Sequence, residues 1–124
     1  MSLYEYLSNQ SNHSEQLQKT IRQTVQKLLS NKTTSEQPGV LLGRIQSGKT
    51  KAFIGGIAEA FDNGFDVAIV LTKNSQLLGF QTTRRLKKEF SKPEQTNEIN
   101  IYNTHAFGDS RLKKTQLLNK KIFV

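Results

Sequence analysis

The sequence predicts an α/β fold in which a mostly parallel sheet is flanked by helices. Short apolar runs typical of buried strands alternate with segments of helical periodicity, and Gly, Pro and Asn separate them. The predicted strands are residues 40–42, 66–72, 99–102 and a run that begins at residue 122. With 124 residues, the chain has the length of about one domain with its own core.

The first third of the chain, residues 1–34, is predicted to be a helical segment that precedes the α/β domain of residues 35–124. Ser2 and Glu5 have the spacing of a capping box and predict a short helix. Asn12 and Glu15 predict the start of a longer helix. That helix is expected to run to about residue 29, because apolar residues recur at helical spacing: Leu17, Ile21, Val25, Leu28 and Leu29.

Two more helices are predicted between the strands. The first begins near Lys49 and ends at about Asp62, before Asn63-Gly64. Its many small residues, Gly55 and Gly56 among them, predict close packing against the sheet. The second helix covers residues 75–90, with an apolar stripe formed by Leu78, Leu86 and Phe90 around Thr82.

The end of the chain predicts a short helix at residues 110–118 and then the last apolar run. Because the sequence stops inside that run, we interpret it as a piece of a longer protein.

The composition excludes several classes of protein. No apolar run is long enough to span a bilayer and no signal-peptide core is present, so we expect a cytoplasmic protein with no membrane partner. The absence of cysteine excludes disulfides and thiolate metal sites. His13 and His105 lie far apart in the sequence, which argues against a histidine metal site.

The chain is strongly basic. Eighteen Lys and Arg against ten Asp and Glu give a formal net charge of +8, which favours a polyanionic partner, nucleic acid above all. The alternative is that balancing acidic residues lie in another part of the same protein.

Gly43, Gly48, Lys49 and Thr50 complete the pattern G-x-x-x-x-G-K-[ST] of a phosphate-binding loop. The glycines allow a tight turn whose N–H groups point at an anion, and the helix that follows adds the positive end of its dipole. Lys49 supplies charge for the β- and γ-phosphates and is the candidate catalytic residue, while Thr50 offers its hydroxyl to Mg²⁺. The predicted nucleotide-binding residues are Gly43, Arg44, Ile45, Gln46, Ser47, Gly48, Lys49 and Thr50. The alternative is a glycine-rich turn with an exposed lysine.

The groups that complete nucleotide hydrolysis are missing from the sequence. None of the ten acidic residues directly follows an apolar strand, where a second Mg²⁺-binding carboxylate is expected, and no arginine finger can be assigned. We therefore expect this chain to bind nucleotide and to hydrolyse it poorly by itself.

Residues 40–90 resemble the start of a superfamily-two, DEAD/DEAH-like helicase or translocase of the kind found in restriction and phage-defence systems. The resemblance rests on G-R-I-Q-S-G-K-T (43–50) as motif I and V-A-I-V-L-T-K-N (67–74) as the strand and turn of motif Ia. It implies an incomplete RecA-like P-loop domain that uses ATP and Mg²⁺, and a C-terminal remainder of the motor outside this chain.

The resemblance also implies contacts with nucleic acid, DNA or RNA, at the turn after the motif Ia strand. In this sequence the turn is Thr72, Lys73 and Asn74. The alternative is an Asn helix cap beside a solvated lysine. The family places an adenine-reading glutamine upstream of motif I, at a distance that Gln23 and Gln26 roughly match.

The helix of residues 75–90 adds a second candidate contact with nucleic acid. Arg84, Arg85, Lys87 and Lys88 crowd its surface, and a basic helix face can follow a phosphate backbone. We take Arg84 and Lys88 as the candidate residues. A merely solvated face is the alternative.

Three functions are compatible with these patterns. The leading hypothesis is the ATP-binding N-terminal part of a helicase-like, ATP-dependent nucleic-acid motor. A phosphate-loop kinase or GTPase is the second, although no acceptor- or base-reading motif supports it. The third is a non-enzymatic nucleic-acid-binding module that uses the loop only to hold an anion.

Overall fold

A computed structural model describes residues 2–40, 49–73, 75–96, 98–103 and 120–124. Within them, the helices are α1 (Leu3–Ser11), α2 (Glu15–Ser30), α3 (Lys49–Asp62), α4 (Gln76–Glu89) and α5 (Ser91–Gln95). The strands are β1 (Val67–Ile69), β2 (Ile99–Tyr102) and β3 (Lys120–Phe123). The α/β class predicted from the sequence is confirmed.

The chain divides into two compact units, Met1–Asn63 and Gly64–Val124. The first contains α1, α2 and α3, and the second contains the sheet with α4 and α5. The domain boundary expected between residues 34 and 35 stays a prediction. The helix predicted at residues 110–118 lies outside the described residues, as do residues 41 and 42 of the first predicted strand. Val40, the remaining residue of that strand, is exposed and is not in a strand.

Helix α1 begins with the predicted capping box. The Ser2 hydroxyl accepts from the Glu5 N–H at 3.1 Å, and the Glu5 carboxylate accepts from the Ser2 N–H at 3.1 Å. Asp62, at the end of α3, satisfies the next two amides: its carboxylate oxygens accept from the N–H groups of Leu3 at 3.0 Å and Tyr4 at 2.9 Å. The last residue of α3 thus fixes the first turn of α1.

Replacing Asp62 by Ala should destabilise the first unit by about 1–2 kcal/mol, because two helix amides lose a charged acceptor. Asp62→Asn keeps an oxygen acceptor without the charge and should cost less. Chemical denaturation followed by circular dichroism measures both variants. An equal loss in both would show that the carboxylate charge contributes nothing.

The predicted start of α2 was wrong. Asn12 does not cap α2; it ends α1 in the left-handed conformation (φ 51°), and its N–H donates to the Ser8 carbonyl. Ser14 is the cap of α2, and its hydroxyl accepts from the Leu17 N–H at 3.2 Å. An Asn tolerates the left-handed conformation better than most residues, so it stands where α1 ends.

At Gly55, α3 lies close to residues of α1 and α2. A Cβ atom there would lie 2.5 Å from Ile21 Cδ1, 3.2 Å from Tyr4 Cε2 and 3.3 Å from His13 Cε1. All three neighbours are buried. Gly55 therefore packs against the N-terminal helices, which the sequence did not predict. At Gly56 no atom of the described residues lies within 4 Å of a Cβ. The close approach of the two glycines to the sheet stays a prediction.

The two glycines should respond to alanine with opposite signs. Gly56→Ala should stabilise the protein by up to about 1 kcal/mol, because alanine favours helix and meets open space. Gly55→Ala gains the same propensity but must displace buried side chains, and we expect a net loss of about 1–2 kcal/mol. Thermal denaturation of both variants gives the test: Tm shifts of the same sign would contradict the packing at Gly55.

In the second unit, β3 lies between β1 and β2, and both pairings are parallel. Ile122 stands opposite Ile101 on one side and Ala68 on the other. Ile99, Ile101 and Ile122 are buried, and α4 and α5 pack on β2. The last strand in the sequence is therefore the central strand among those described, and it begins at Lys120, two residues earlier than predicted.

Strand β1 is shorter than predicted, Val67–Ile69 in place of residues 66–72. Its last bond to β3 runs from the Val70 N–H to the Phe123 carbonyl at 2.8 Å, and Leu71 is exposed. Asp66 precedes the strand and pairs with Lys120, with 2.9 Å between Oδ1 and Nζ. The Lys120 hydrogen bond and charge lower the pKa of Asp66.

The buried face of α4 is Gly79, Thr83 and Leu86, followed by Phe90. The predicted stripe was right at Leu86 and Phe90 and wrong at Leu78, which is exposed. Thr83 lies inside because its hydroxyl donates to the Gly79 carbonyl at 2.8 Å and accepts from Asn103 Nδ2 at 3.1 Å. Asn103 follows β2, so this bond fastens α4 to the carboxyl end of that strand.

Candidate functional site

Lys49 and Thr50 are the first two residues of α3, and both are exposed. The sequence predicts a phosphate-binding loop that leads into this helix. The positive end of the dipole of α3 therefore lies at Lys49 and Thr50. The rest of the predicted loop, Gly43, Arg44, Ile45, Gln46, Ser47 and Gly48, lies outside the described residues.

The two lysines of the first turn of α3 have different surroundings. Lys51 donates from Nζ to the Ser11 carbonyl at 3.2 Å and so leans on the end of α1. The described residues give Lys49 no such partner. Its ammonium is therefore available to a bound anion, whereas that of Lys51 has a structural contact.

For Mg²⁺, the described part of the chain offers the exposed Thr50 hydroxyl and no cluster of three His, Asp or Glu side chains. The Thr50 hydroxyl is an oxygen donor, and Mg²⁺ is usually held by one or two oxygen ligands of the protein together with substrate phosphates and water.

A cavity of about 570 Å³ lies in the first unit, between α2 and the segment that leads to the predicted loop. Its wall combines apolar side chains, Leu28 and Val40, with polar ones such as Gln37. Small-molecule sites fall in this range of volume, but nearly all the residues that line this cavity are exposed, so it is open to solvent. Gln23 and Gln26 are exposed on α2 and are not among the residues that line the cavity, whereas Gln37 is.

The described carboxyl ends of the three strands carry no acidic residue. Residues 70–73 follow β1, Asn103 follows β2 and Val124 follows β3. Asp66 lies at the opposite end of β1, where Lys120 holds it.

Thr72 and Lys73 follow β1 as exposed residues, and the Thr72 hydroxyl donates to the Lys73 carbonyl at 3.3 Å. Asn74 lies outside the described residues. The cap of α4 is Ser75, whose hydroxyl accepts from the Leu78 N–H at 3.5 Å. Because Ser75 is the cap of α4, the alternative in which an Asn caps this helix was wrong.

Two of the four cations of α4 form ion pairs with glutamates. Arg85 pairs with Glu89 at 3.1 Å, and Lys87 lies 3.7 Å from Glu94. Among the described residues, no acidic side chain pairs with the other two cations, Arg84 and Lys88, and both are exposed.

Sequence reasoning missed Phe80, which is 46% exposed on α4. Phe80, Arg84 and Lys88 are spaced four residues apart in the sequence. The apolar stripe predicted for this helix consisted of other residues and did not include Phe80. The cavity was not predicted either. Its lining residues come from a helix and a loop, and no short sequence motif indicates that these two segments pack together.

Comparison with protein-family models, with curated proteins and with solved structures found no match for the chain. In the described ranges, none of the helices has the length and apolar character needed to cross a membrane.

Proposed function

We propose that this chain is the ATP-binding, N-terminal part of an ATP-dependent nucleic-acid motor, with an incomplete RecA-like P-loop domain of the superfamily-two type. The observation that carries the proposal is the complete motif from Gly43 to Thr50, which leads into α3 with Lys49 and Thr50 exposed on its first turn. The α/β class and parallel strand pairing are compatible with such a domain.

Lys49 would hold the β- and γ-phosphates, and the backbone amides of residues 43–48 would donate to them. Thr50 would hold Mg²⁺ through its hydroxyl, and the ion would neutralise phosphate charge. We place the nucleotide base in the cavity beside α2, with Gln37 as the group that reads its edge.

The chain alone should hydrolyse ATP poorly, since the described strands carry no acid at their carboxyl ends. The C-terminal remainder of the motor would supply that carboxylate and the second domain. The nucleic acid would lie along Thr72, Lys73 and Asn74 and the unpaired cations of α4, Arg84 and Lys88.

Isothermal titration calorimetry of the whole chain with Mg·ATP and with Mg·GTP tests the proposal. We expect saturable binding of one Mg·ATP and weaker binding of Mg·GTP. Tighter binding of Mg·GTP would favour the GTPase class. No binding of either nucleotide to a chain whose circular dichroism shows it folded would overturn the proposal.

A further inference from the structure

An aromatic ring and two cations lie in line on the outer face of α4. Phe80, Arg84 and Lys88 are spaced four residues apart, so they stack along one side of the helix, about 6 Å apart per step. All three are exposed. We call these three residues the α4 stripe.

The stripe contains two of the four cations of α4, Arg84 and Lys88. Arg85 and Lys87, which lie beside it, are each paired with a glutamate. Arg84 and Lys88 form no ion pair in the part of the chain that the structure describes, so an external anion would not have to displace an acid from either of them. Phe80 thus lies on the same row of the helix as the two cations that have no ion pair among the described residues.

An exposed ring next to unpaired cations discriminates between forms of nucleic acid. A single strand offers both a phosphate backbone and unstacked bases that can lie on an aromatic ring. In a duplex the bases are already stacked inside the helix, so its phosphates can reach the cations but no base can reach the ring. Stacking of a base on Phe80 therefore needs a single strand.

We propose that the α4 stripe binds single-stranded nucleic acid, with a base stacked on Phe80 and phosphates on Arg84 and Lys88. The proposal rests on the proposed function for its class of partner, and adds to it the strandedness of that partner and the stacking residue. Its charge complementarity agrees with the net charge of +8 on the whole chain.

The contribution of the two cations can be measured with a fluorescein-labelled oligo(dT) of about 16 nucleotides, by anisotropy of the whole chain across a range of salt. The double variant Arg84→Gln/Lys88→Gln should bind about tenfold more weakly and lower the slope of log K against log salt by about 1.4. The control Arg85→Gln/Lys87→Gln removes the same charge from the same helix and should change affinity less than about threefold. Equal losses in the two double variants would show that only net charge matters, and would overturn the proposal.

Stacking can be observed directly because the chain contains no tryptophan. Phe80→Trp introduces a single indole, whose fluorescence should be quenched on binding oligo(dT). Gln16→Trp, at an exposed position of α2, is the control and should not be quenched. Phe80→Leu keeps apolar bulk without the ring and should lose about tenfold in affinity. An indole at position 80 that stays unquenched while the oligonucleotide binds would overturn the stacking.

A duplex of the same length should bind more weakly than the single strand and should not respond to Phe80→Leu. A duplex that binds as tightly would overturn the single-strand assignment. Mg·ATP titrations separate this proposal from the proposed function. A chain that binds Mg·ATP but no oligonucleotide contradicts only the stripe, whereas oligonucleotide binding without nucleotide binding contradicts only the phosphate loop.

Discussion

Lys49→Ala should lower the affinity of the chain for Mg·ATP by about 30-fold or more, while Lys51→Ala should change it less than about threefold. Removing one partner of a close, desolvated charge pair typically costs at least about 2 kcal/mol, which corresponds to that 30-fold loss. Lys51 differs in having its ammonium against the Ser11 carbonyl, 3.2 Å away.

The two lysine variants form a matched pair. Both remove one positive charge from the first turn of α3, so any general weakening of the field for a polyanion is the same in both. Calorimetry with Mg·ATP gives the affinities, and circular dichroism confirms that each variant is folded. Equal losses would show that the turn contributes only charge, and would remove the main support for a phosphate loop at residues 43–50.

Phe90→Ala should destabilise the second unit by about 3–5 kcal/mol, whereas Phe80→Ala should change stability by no more than about 0.5 kcal/mol. Phe90 is fully buried, and Phe80 on the same helix is 46% exposed. Phe90 also joins two helices: its N–H donates to the Leu86 carbonyl, and its carbonyl accepts from the Glu94 N–H, both at 2.9 Å. Truncating its ring leaves a cavity where α4 and α5 meet.

Chemical denaturation followed by circular dichroism measures this pair. A loss of about 3–5 kcal/mol is a large part of the 5–15 kcal/mol that typically separates folded from unfolded protein, so Phe90→Ala should begin to unfold at low denaturant. Similar midpoints for the two variants would contradict the burial of Phe90. The same experiment shows whether Phe80 variants are fit for the oligonucleotide measurements.

Features set by a few neighbouring residues could be predicted from the sequence. The capping box of Ser2 and Glu5, the helix that starts at Lys49 and the stop at Asn63-Gly64 were all predicted correctly. Each depends on local backbone preference; Gly64, for example, has a φ of +101°, which side chains other than hydrogen disfavour. The prediction that Asn12 starts α2 was wrong because Asn and Ser are both good caps, and only the path of the chain between α1 and α2 places Ser14 there.

The candidate site divides in the same way. The motif at residues 43–50 is contiguous in the sequence, so its chemistry could be predicted without the fold. The sequence analysis chose Arg84 and Lys88 among the four cations of α4, but only the structure shows a difference between the two sets, because Glu89 and Glu94 lie close enough to pair with Arg85 and Lys87.

By itself the sequence determined the class of the fold, the first four helices and the capping box of α1, the net charge and the phosphate-loop pattern. Tertiary structure alone decided that β3 lies between β1 and β2, that Gly55 packs tightly while Gly56 does not, and that Asp62 binds the Leu3 amide at the start of α1 from 59 residues away. The physical reason is the range of the interactions. Backbone preference and periodicity act over a few residues, whereas strand pairing, close packing and ion pairing depend on which distant residues the folded chain brings together.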